Sequence, residues 1–345
     1  HGVGKTGLVR RVPIGPILAI TPFNFPLNLT AHKVAPAIAA GNSIVVKPAS
    51  QTPMSSSMLC EIARQAGLPS GVLTSIPCSA NIAETMVSDP RFKMLTFTGS
   101  PAVGWELKNR AGKKKVTLEL GGNAGAIVEP DADLQTAASK LASNAFSFAG
   151  QVCISLQRIF VHESIALQFT ELLLDYTVNK TISGDPNNPD VICGPIIDSA
   201  NADRIQQWIA EAAQSGAEIL CGGTREGNVI HPTALRNVDP KLRIACNEVF
   251  GPVVVIDTYT SFEEAIAKVN DSEFGLQASV FTHDIGKIMQ AFRELELGAV
   301  IHNDGPSFRV DSMPYGGTKN SGFGREGLRY AIEEMTEPKL LVLRE

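Results

Sequence analysis

Met94-Leu95-Thr96-Phe97-Thr98-Gly99-Ser100-Pro101-Ala102-Val103-Gly104, continued by Trp105 to Arg110 and then by Val116-Thr117-Leu118-Glu119-Leu120, decides the fold. Met94–Thr98 is an apolar run of strand length. Gly99-Ser100-Pro101 is a turn that opens a helix, and Pro101–Arg110 carries it. Val116–Leu120 is a second strand. Strand, helix and strand in so few residues imply parallel strands joined by a right-handed crossover. Upstream, Ile17–Thr21 and Ser43–Lys47 read as buried strands. Between them Ala31–Ala40 reads as a small-residue helix that can pack closely on a sheet, closed by Gly41-Asn42. Another helix, Ser55–Ala66, is stopped by Gly67 and Pro69. The alternation predicts an α/β chain whose first part is a doubly wound parallel sheet.

Gly121-Gly122 interrupts the pattern. A second α/β unit then begins with Ala126–Val128 and Leu134–Phe148. It continues through a strand at Arg158–Val161, helices at Ile165–Val178 and Ala202–Ser215, a strand at Val253–Tyr259, a helix at Phe262–Asn270 and a strand at Ser279–Thr282. The expected division is residues 1–122, 123–310, and 311–345 returning to the first domain and adding a C-terminal strand. That last strand, Lys339–Leu343, is short and apolar. Alone it would invite edge pairing, so its expected partner is another subunit.

The 345 residues are 44% hydrophobic and 19% charged, with a formal net charge of -5. A sizeable core is affordable. The charge argues against nucleic acid as a main partner, since phosphates need a basic excess. Lys113-Lys114-Lys115 is a local exception that reads as a solvated corner. No apolar run reaches the ~20 residues of a membrane span, and the first residues lack the order of a signal peptide. Six cysteines are scattered without paired spacing, which suggests neither zinc nor disulfides; a cytoplasmic setting fits, and no metal is expected.

Three residues stand out chemically. Cys153, in Gly150-Gln151-Val152-Cys153-Ile154-Ser155, follows a helix and a glycine where the backbone can turn sharply; on its own it could equally be a structural thiol. Asn24, in Thr21-Pro22-Phe23-Asn24-Phe25-Pro26, follows a strand and could donate its amide to an oxyanion, or simply serve a turn. Glu119 lies between leucines before the di-glycine. If buried, its carboxyl becomes a base tuned toward neutrality; on the outward face of an alternating strand it would be an ordinary solvated acid.

TPFNFP, KPASQTP, FTGS, LELGG, GQVCIS, NEVFGPV and PYGGTKNSGFGREG follow one another from Thr21 to Gly327. Their content and order resemble the aldehyde dehydrogenase superfamily over essentially the whole chain. The resemblance implies a doubly wound cofactor domain (1–122), a second α/β catalytic domain (123–310) and a small oligomerisation strand at the C-terminus. It implies that Cys153 attacks an aldehyde, that Asn24 and the Cys153 backbone N–H hold the oxyanion, and that Glu119 activates the water that hydrolyses a thioester. The expected product is a carboxylate. A coenzyme A-acylating enzyme and a truncated, inactive relative with a structural or binding role are the alternatives.

For the cofactor, the resemblance implies Thr21, Pro22, Lys47, Gly99, Ser100, Gly104, Leu120, Glu248 and Phe250. Many NAD-using relatives carry a glutamate three residues after the lysine; here Ser50 stands there. A serine does not repel a 2′-phosphate and Lys47 could pair with one, so NADP is expected to be accepted and slightly favoured over NAD. The loop Asp304 to Tyr315 resembles the lactaldehyde, phosphonoacetaldehyde and sulfoacetaldehyde dehydrogenase branch. Arg309 could bind an anionic or hydroxylated tail, or pair with Asp311 or Asp304. Val152 is uncharged and favours no anionic substrate, while Ile154 is expected to narrow the mouth. Asn123 stands where a lysine is common. The family's N-terminal segment is missing from this reading, so a fragment or truncated relative is expected. The expected partners are a small aldehyde and further copies of the chain, as a homodimer or homotetramer.

Overall fold

The computed structural model describes residues 2–344. They divide into two compact units: residues 2–120, 310–316 and 322–344, and residues 121–309 and 317–321.

The first unit begins with β1 (Lys5–Pro13), followed by β2 (Ile17–Ile20), α1 (Asn28–Ala39), β3 (Ile44–Lys47), α2 (Met54–Gln65), β4 (Leu73–Ser75), α3 (Ala80–Ser88), β5 (Met94–Thr98), α4 (Pro101–Arg110) and β6 (Lys115–Glu119). Strands β2 to β6 are parallel and ordered β6-β5-β2-β3-β4. From β2 in the middle of the sheet the chain builds one edge, then crosses back to build the other. Period two explains why both faces are covered. Ile17 and Ala19 meet Val34 and Ala37 of α1, whereas Leu18 and Ile20 share a core with Val87 of α3 and Leu107 of α4. The reversal of strand order falls between β2 and β5, and ligands of open α/β sheets bind at the carboxyl ends of strands flanking such a reversal.

The second unit contains β7 (Ala124–Val128), α5 (Leu134–Phe146), β8 (Leu156–His162), α6 (Ala166–Lys180), α7 (Ser199–Gln214), β9 (Glu218–Cys221), a small hairpin of β10 (Arg225–Glu226) and β11 (Val229–Ile230), β12 (Thr233–Arg236), α8 (Arg243–Cys246), β13 (Val253–Tyr259), α9 (Phe262–Asn270), β14 (Phe274–Gly275), β15 (Gln277–Phe281), α10 (Ile285–Glu294), β16 (Ala299–His302) and β17 (Thr318–Lys319). Its main sheet is ordered β16-β15-β7-β8-β13-β12-β9, parallel except for the edge strand β9. Ala126 and Val128 face α5 and α6; Ile127 faces α9 and α10.

The chain closes in the first unit with β18 (Gly322–Phe323), antiparallel to β6, then α11 (Leu328–Glu334) and β19 (Thr336–Arg344). β19 corrects the expectation for the tail. Its partner is the chain's own β1, paired antiparallel from Pro13↔Thr336 to Lys5↔Arg344. The local pattern showed an unprotected apolar strand but could not show that a strand more than three hundred residues away supplies the missing ladder. The helix expected to run to Phe148 also ends earlier, at Phe146, because Phe148 and Ala149 turn left-handed.

Candidate active and cofactor sites

In the first unit, Thr21, Lys47 and Gly99 follow or end adjacent strands. Ile20 pairs with Lys47 on one side and with Phe97 on the other, so the carboxyl ends of β3, β2 and β5 lie side by side at the reversal. Ser100 caps α4 by position, yet its side chain makes no capping hydrogen bond. The Ser100 hydroxyl therefore does not satisfy the first helical N–H groups. Lys47 is half-buried and Ser50 exposed. Gly104 and Leu120 pack against one another. Both are buried, and a Cβ on Gly104 would overlap the Leu120 side chain, so the pair lets α4 lie close on the sheet.

Asn24 is buried in the loop after β2. That loop is tied to α1 by the Leu29 N–H donating to the Phe25 carbonyl (2.9 Å) and by Thr30 Oγ1 donating to the Pro26 carbonyl (2.7 Å). Glu119 is also buried, 3% exposed, which removes the solvated-strand reading. Gly316 backs onto its carboxylate: a Cβ there would lie 2.7 Å from Oε1.

In the second unit, Cys153 lies in the loop that leads into β8. Phe148, Ala149 and Gly150 all have positive φ (59°, 54° and 66°), a costly run for the first two. Gly150 is required twice over, by its φ and because a Cβ would overlap the Gly251 carbonyl. The Gln151 side chain fixes the turn, donating to the Pro195 carbonyl (3.2 Å) and accepting from the Ile197 N–H (2.9 Å). Past Cys153, the Ser155 hydroxyl donates to the Asn144 carbonyl (3.2 Å). A Cβ on Gly122 would overlap the Cys153 carbonyl, so the di-glycine is where the backbone passes the Cys153 loop. Val152 and Cys153 are partly open, but Ile154 is buried at 4% exposure, so it packs into the protein. All six cysteines are free thiols. Burial pushes Cys193 up to about 12 and raises Cys221 and Cys60, which marks these three as poor nucleophiles.

Glu248 accepts from the Gly122 N–H (3.0 Å). Packed protein around its carboxyl raises its pKa to about 7, opposed by that hydrogen bond and by Arg204. The folded protein therefore holds a proton here that the unfolded chain releases near 4.5. Stability from this group is present at low pH and falls as pH rises toward 7. We expect the stability difference between Glu248→Gln and the parent to shift in favour of the variant between pH 4.5 and 7, read from urea unfolding at several pH values. Phe250 sits in a left-handed conformation (φ 50°) just beyond. Arg309 is half-buried; Asp304 pairs with Lys140 (2.9 Å) and Asp311 with His32 (3.0 Å).

The sequence pattern that defines the aldehyde dehydrogenase family matches residues 2–341. The chain belongs to the aldehyde dehydrogenase family. It is 48% identical over 334 residues to 3-sulfolactaldehyde dehydrogenase of Priestia megaterium, covering 96% of this chain and 70% of that one. The crystal structure of aldehyde dehydrogenase 21 from Physcomitrella patens, in complex with the reaction product succinate, matches with a TM-score of 0.95 and 45% identity, over 99% of this chain and 71% of that one. The structure of glyceraldehyde-3-phosphate dehydrogenase GapN from Methanocaldococcus jannaschii, complexed with NADP, matches at 0.95 with 39% identity, over 99% and 75%. Like its family, the chain is an oxidoreductase of the aldehyde dehydrogenase class, and no described helix is long and apolar enough to cross a membrane.

Sequence reasoning on this aldehyde dehydrogenase missed a buried ion pair in the first unit. Lys33 Nζ donates to Glu326 Oε1 (2.7 Å) and to Thr96 Oγ1 (3.0 Å), with the two charged side chains 1% and 4% exposed. Lys33 lies on the apolar face of α1, and that unusual position was the one available clue. Glu326 in turn exchanges backbone hydrogen bonds with Tyr315, beside Gly316. Removing one partner leaves an uncompensated buried charge, so Lys33→Met is expected to cost about 3–5 kcal/mol. Denaturant unfolding of Lys33→Met and of Lys33→Met/Glu326→Leu checks this; the double variant is expected to recover most of the loss.

Proposed function

We propose that this chain oxidises a small aldehyde to a carboxylate with NAD(P)+ and water through a thioester on Cys153. The observation that carries the reading is the Cys153 loop: a strained left-handed turn, anchored on both sides, carries the partly exposed Cys153, whose backbone carbonyl lies against Gly122.

The first unit is the cofactor domain and the second carries the nucleophile. The carboxyl ends of β2, β3 and β5 suit a dinucleotide. Ser100 and the α4 N-terminus suit its pyrophosphate, Lys47 and Ser50 its adenosine ribose, and Glu248 with Phe250 its nicotinamide end. When bound, the cofactor supplies the hydride acceptor. Cys153, as thiolate, attacks the carbonyl carbon. The Asn24 amide and the Cys153 N–H donate to the oxyanion; one such donor contributes about 3–4 kcal/mol. After oxidation Cys153 carries the acyl group, and Glu119 takes a proton from the water that releases it. Aldehyde, water and NAD(P)+ give acid, NAD(P)H and a proton.

The relatives' names point to an aldehyde with an anionic tail: a sulfonate, a product with a second carboxylate, and a phosphate. Arg309 is the candidate cation for that tail. The exposed leucines of the β1–β19 ribbon support assembly into a homodimer or homotetramer, and the free thiols support a cytoplasmic setting.

Nicotinamide absorbance with matched anionic and neutral aldehydes, with and without coenzyme A, tests the proposal. Acid formation without coenzyme A is expected. No reduction with any aldehyde, or acyl-coenzyme A as the sole product, overturns it. Ser50→Glu is expected to raise the NADP+ KM about tenfold while sparing NAD+, since a carboxylate repels the 2′-phosphate. Comparing kcat/KM for both cofactors checks this.

A further inference from the structure

We infer that Gln157 and Asn123 are positioning residues that hold Glu248 in register for the cofactor, acting through the backbone of residues 245–249. The inference rests on the reading of Glu248 as the residue that meets the nicotinamide end.

Glu248 lies outside regular structure. The short helix α8 ends at Cys246, Asn247 is extended, and Phe250 is left-handed before β13 begins at Val253. No ladder or helix fixes the intervening residues, and two buried side-chain amides take that task. Gln157, the second residue of β8, donates to the Asn247 carbonyl (2.6 Å) and the Ile244 carbonyl (3.2 Å) and accepts from the Val249 N–H (2.9 Å). Its carboxamide thus grips the chain immediately before and immediately after Glu248. Asn123, just ahead of β7, donates to the Ala245 carbonyl (2.8 Å) and again to the Asn247 carbonyl (3.1 Å). Both side chains are 5% exposed. Arg204 adds a bond to the Val249 carbonyl (2.9 Å).

The grip is specific in what it can transmit. The Asn247 carbonyl takes one donor from β8 and one from the residue just ahead of β7, so a shift at either place is passed to Glu248. Gln157 also lies four residues after Cys153 on the same continuous segment. The strand that leads away from the nucleophile is therefore the one that sets the carboxylate meeting the cofactor. Gln157→Leu keeps the volume but removes both the donors and the acceptor, so the Ile244 carbonyl and the Val249 N–H lose this partner and the Asn247 carbonyl keeps only Asn123. Glutamate keeps the shape and the acceptor but sets a carboxylate against the carbonyls.

A double-mutant cycle on the full chain tests this, reading KM for NADP+, KM for aldehyde, kcat and thermal midpoint. Gln157→Leu and Gln157→Glu are expected to raise KM for NADP+ about tenfold with a much smaller change in aldehyde KM. In a Glu248→Ala background the same replacements are expected to change it less than about twofold, because there is no carboxylate left to misplace. Equal effects in both backgrounds would show plain structural support and overturn the inference. An unchanged KM for NADP+ in Glu248→Ala alone would overturn the reading of Glu248 and, with it, this one. If the Gln157 variants do not fold, Asn123→Ala, which leaves the Gln157 bonds in place, runs the same cycle with the same outcomes.

Discussion

Cys153→Ala is expected to abolish aldehyde oxidation while leaving cofactor binding intact. In the proposed reaction the thiolate sulfur forms the bond to substrate, so no neighbouring group compensates for its loss. Removing a nucleophile of this kind typically lowers turnover by about six orders of magnitude. The replacement is also mild structurally. Cys153 is only partly buried, and Gln151, Ser155 and Gly150 hold its loop. Cofactor titration followed by fluorescence should give an unchanged Kd, and NADPH formation should fall to the detection limit. Residual oxidation within tenfold of the parent would remove Cys153 from the mechanism. Cys193 does not replace it, being fully buried with its pKa pushed up to about 12.

Glu119→Gln should separate the two halves of the reaction. The amide preserves the shape that Gly316 accommodates but cannot accept the proton of the hydrolytic water. General-base catalysis contributes about 10²–10⁴-fold, so steady-state turnover should fall by that range. Oxidation is expected to survive as a burst of one NADPH per Cys153, followed by a slow phase, with acyl-enzyme visible by intact mass spectrometry. Unchanged steady-state turnover would refute the assignment. Loss of the burst together with turnover would give Glu119 a role before the thioester.

Local chemistry made several elements legible to the residue. Pro101–Arg110 begins with Ser-Pro, Phe262–Asn270 is capped by the Ser261 hydroxyl accepting from the Glu264 N–H (3.3 Å), and Val253–Tyr259 is a plain β-branched run. Other elements escaped. β4 has only three residues, and α3 and β16 lack a strong pattern of their own. α10 carried a usable cue in Asp284, whose side chain accepts from the N–H groups of Gly286 and Lys287, but the glycine in its first turn obscured it.

The sequence by itself determined the class of fold and singled out the candidate residues of the chemistry. Period-two strands, helix caps and glycines act over a few residues, so they can be read along the chain, and motif order carried Cys153, Asn24 and Glu119. Tertiary structure alone decided the pairings across long separations: β1 with β19, Lys33 with Glu326, and Gln157 and Asn123 with the backbone around Glu248. It also decided that Glu119 is buried and that Gly104 packs on Leu120. The reason is physical: a buried charge or amide is satisfied by whichever partner the packed layers bring near, and nothing in its own neighbours along the chain encodes which partner that is.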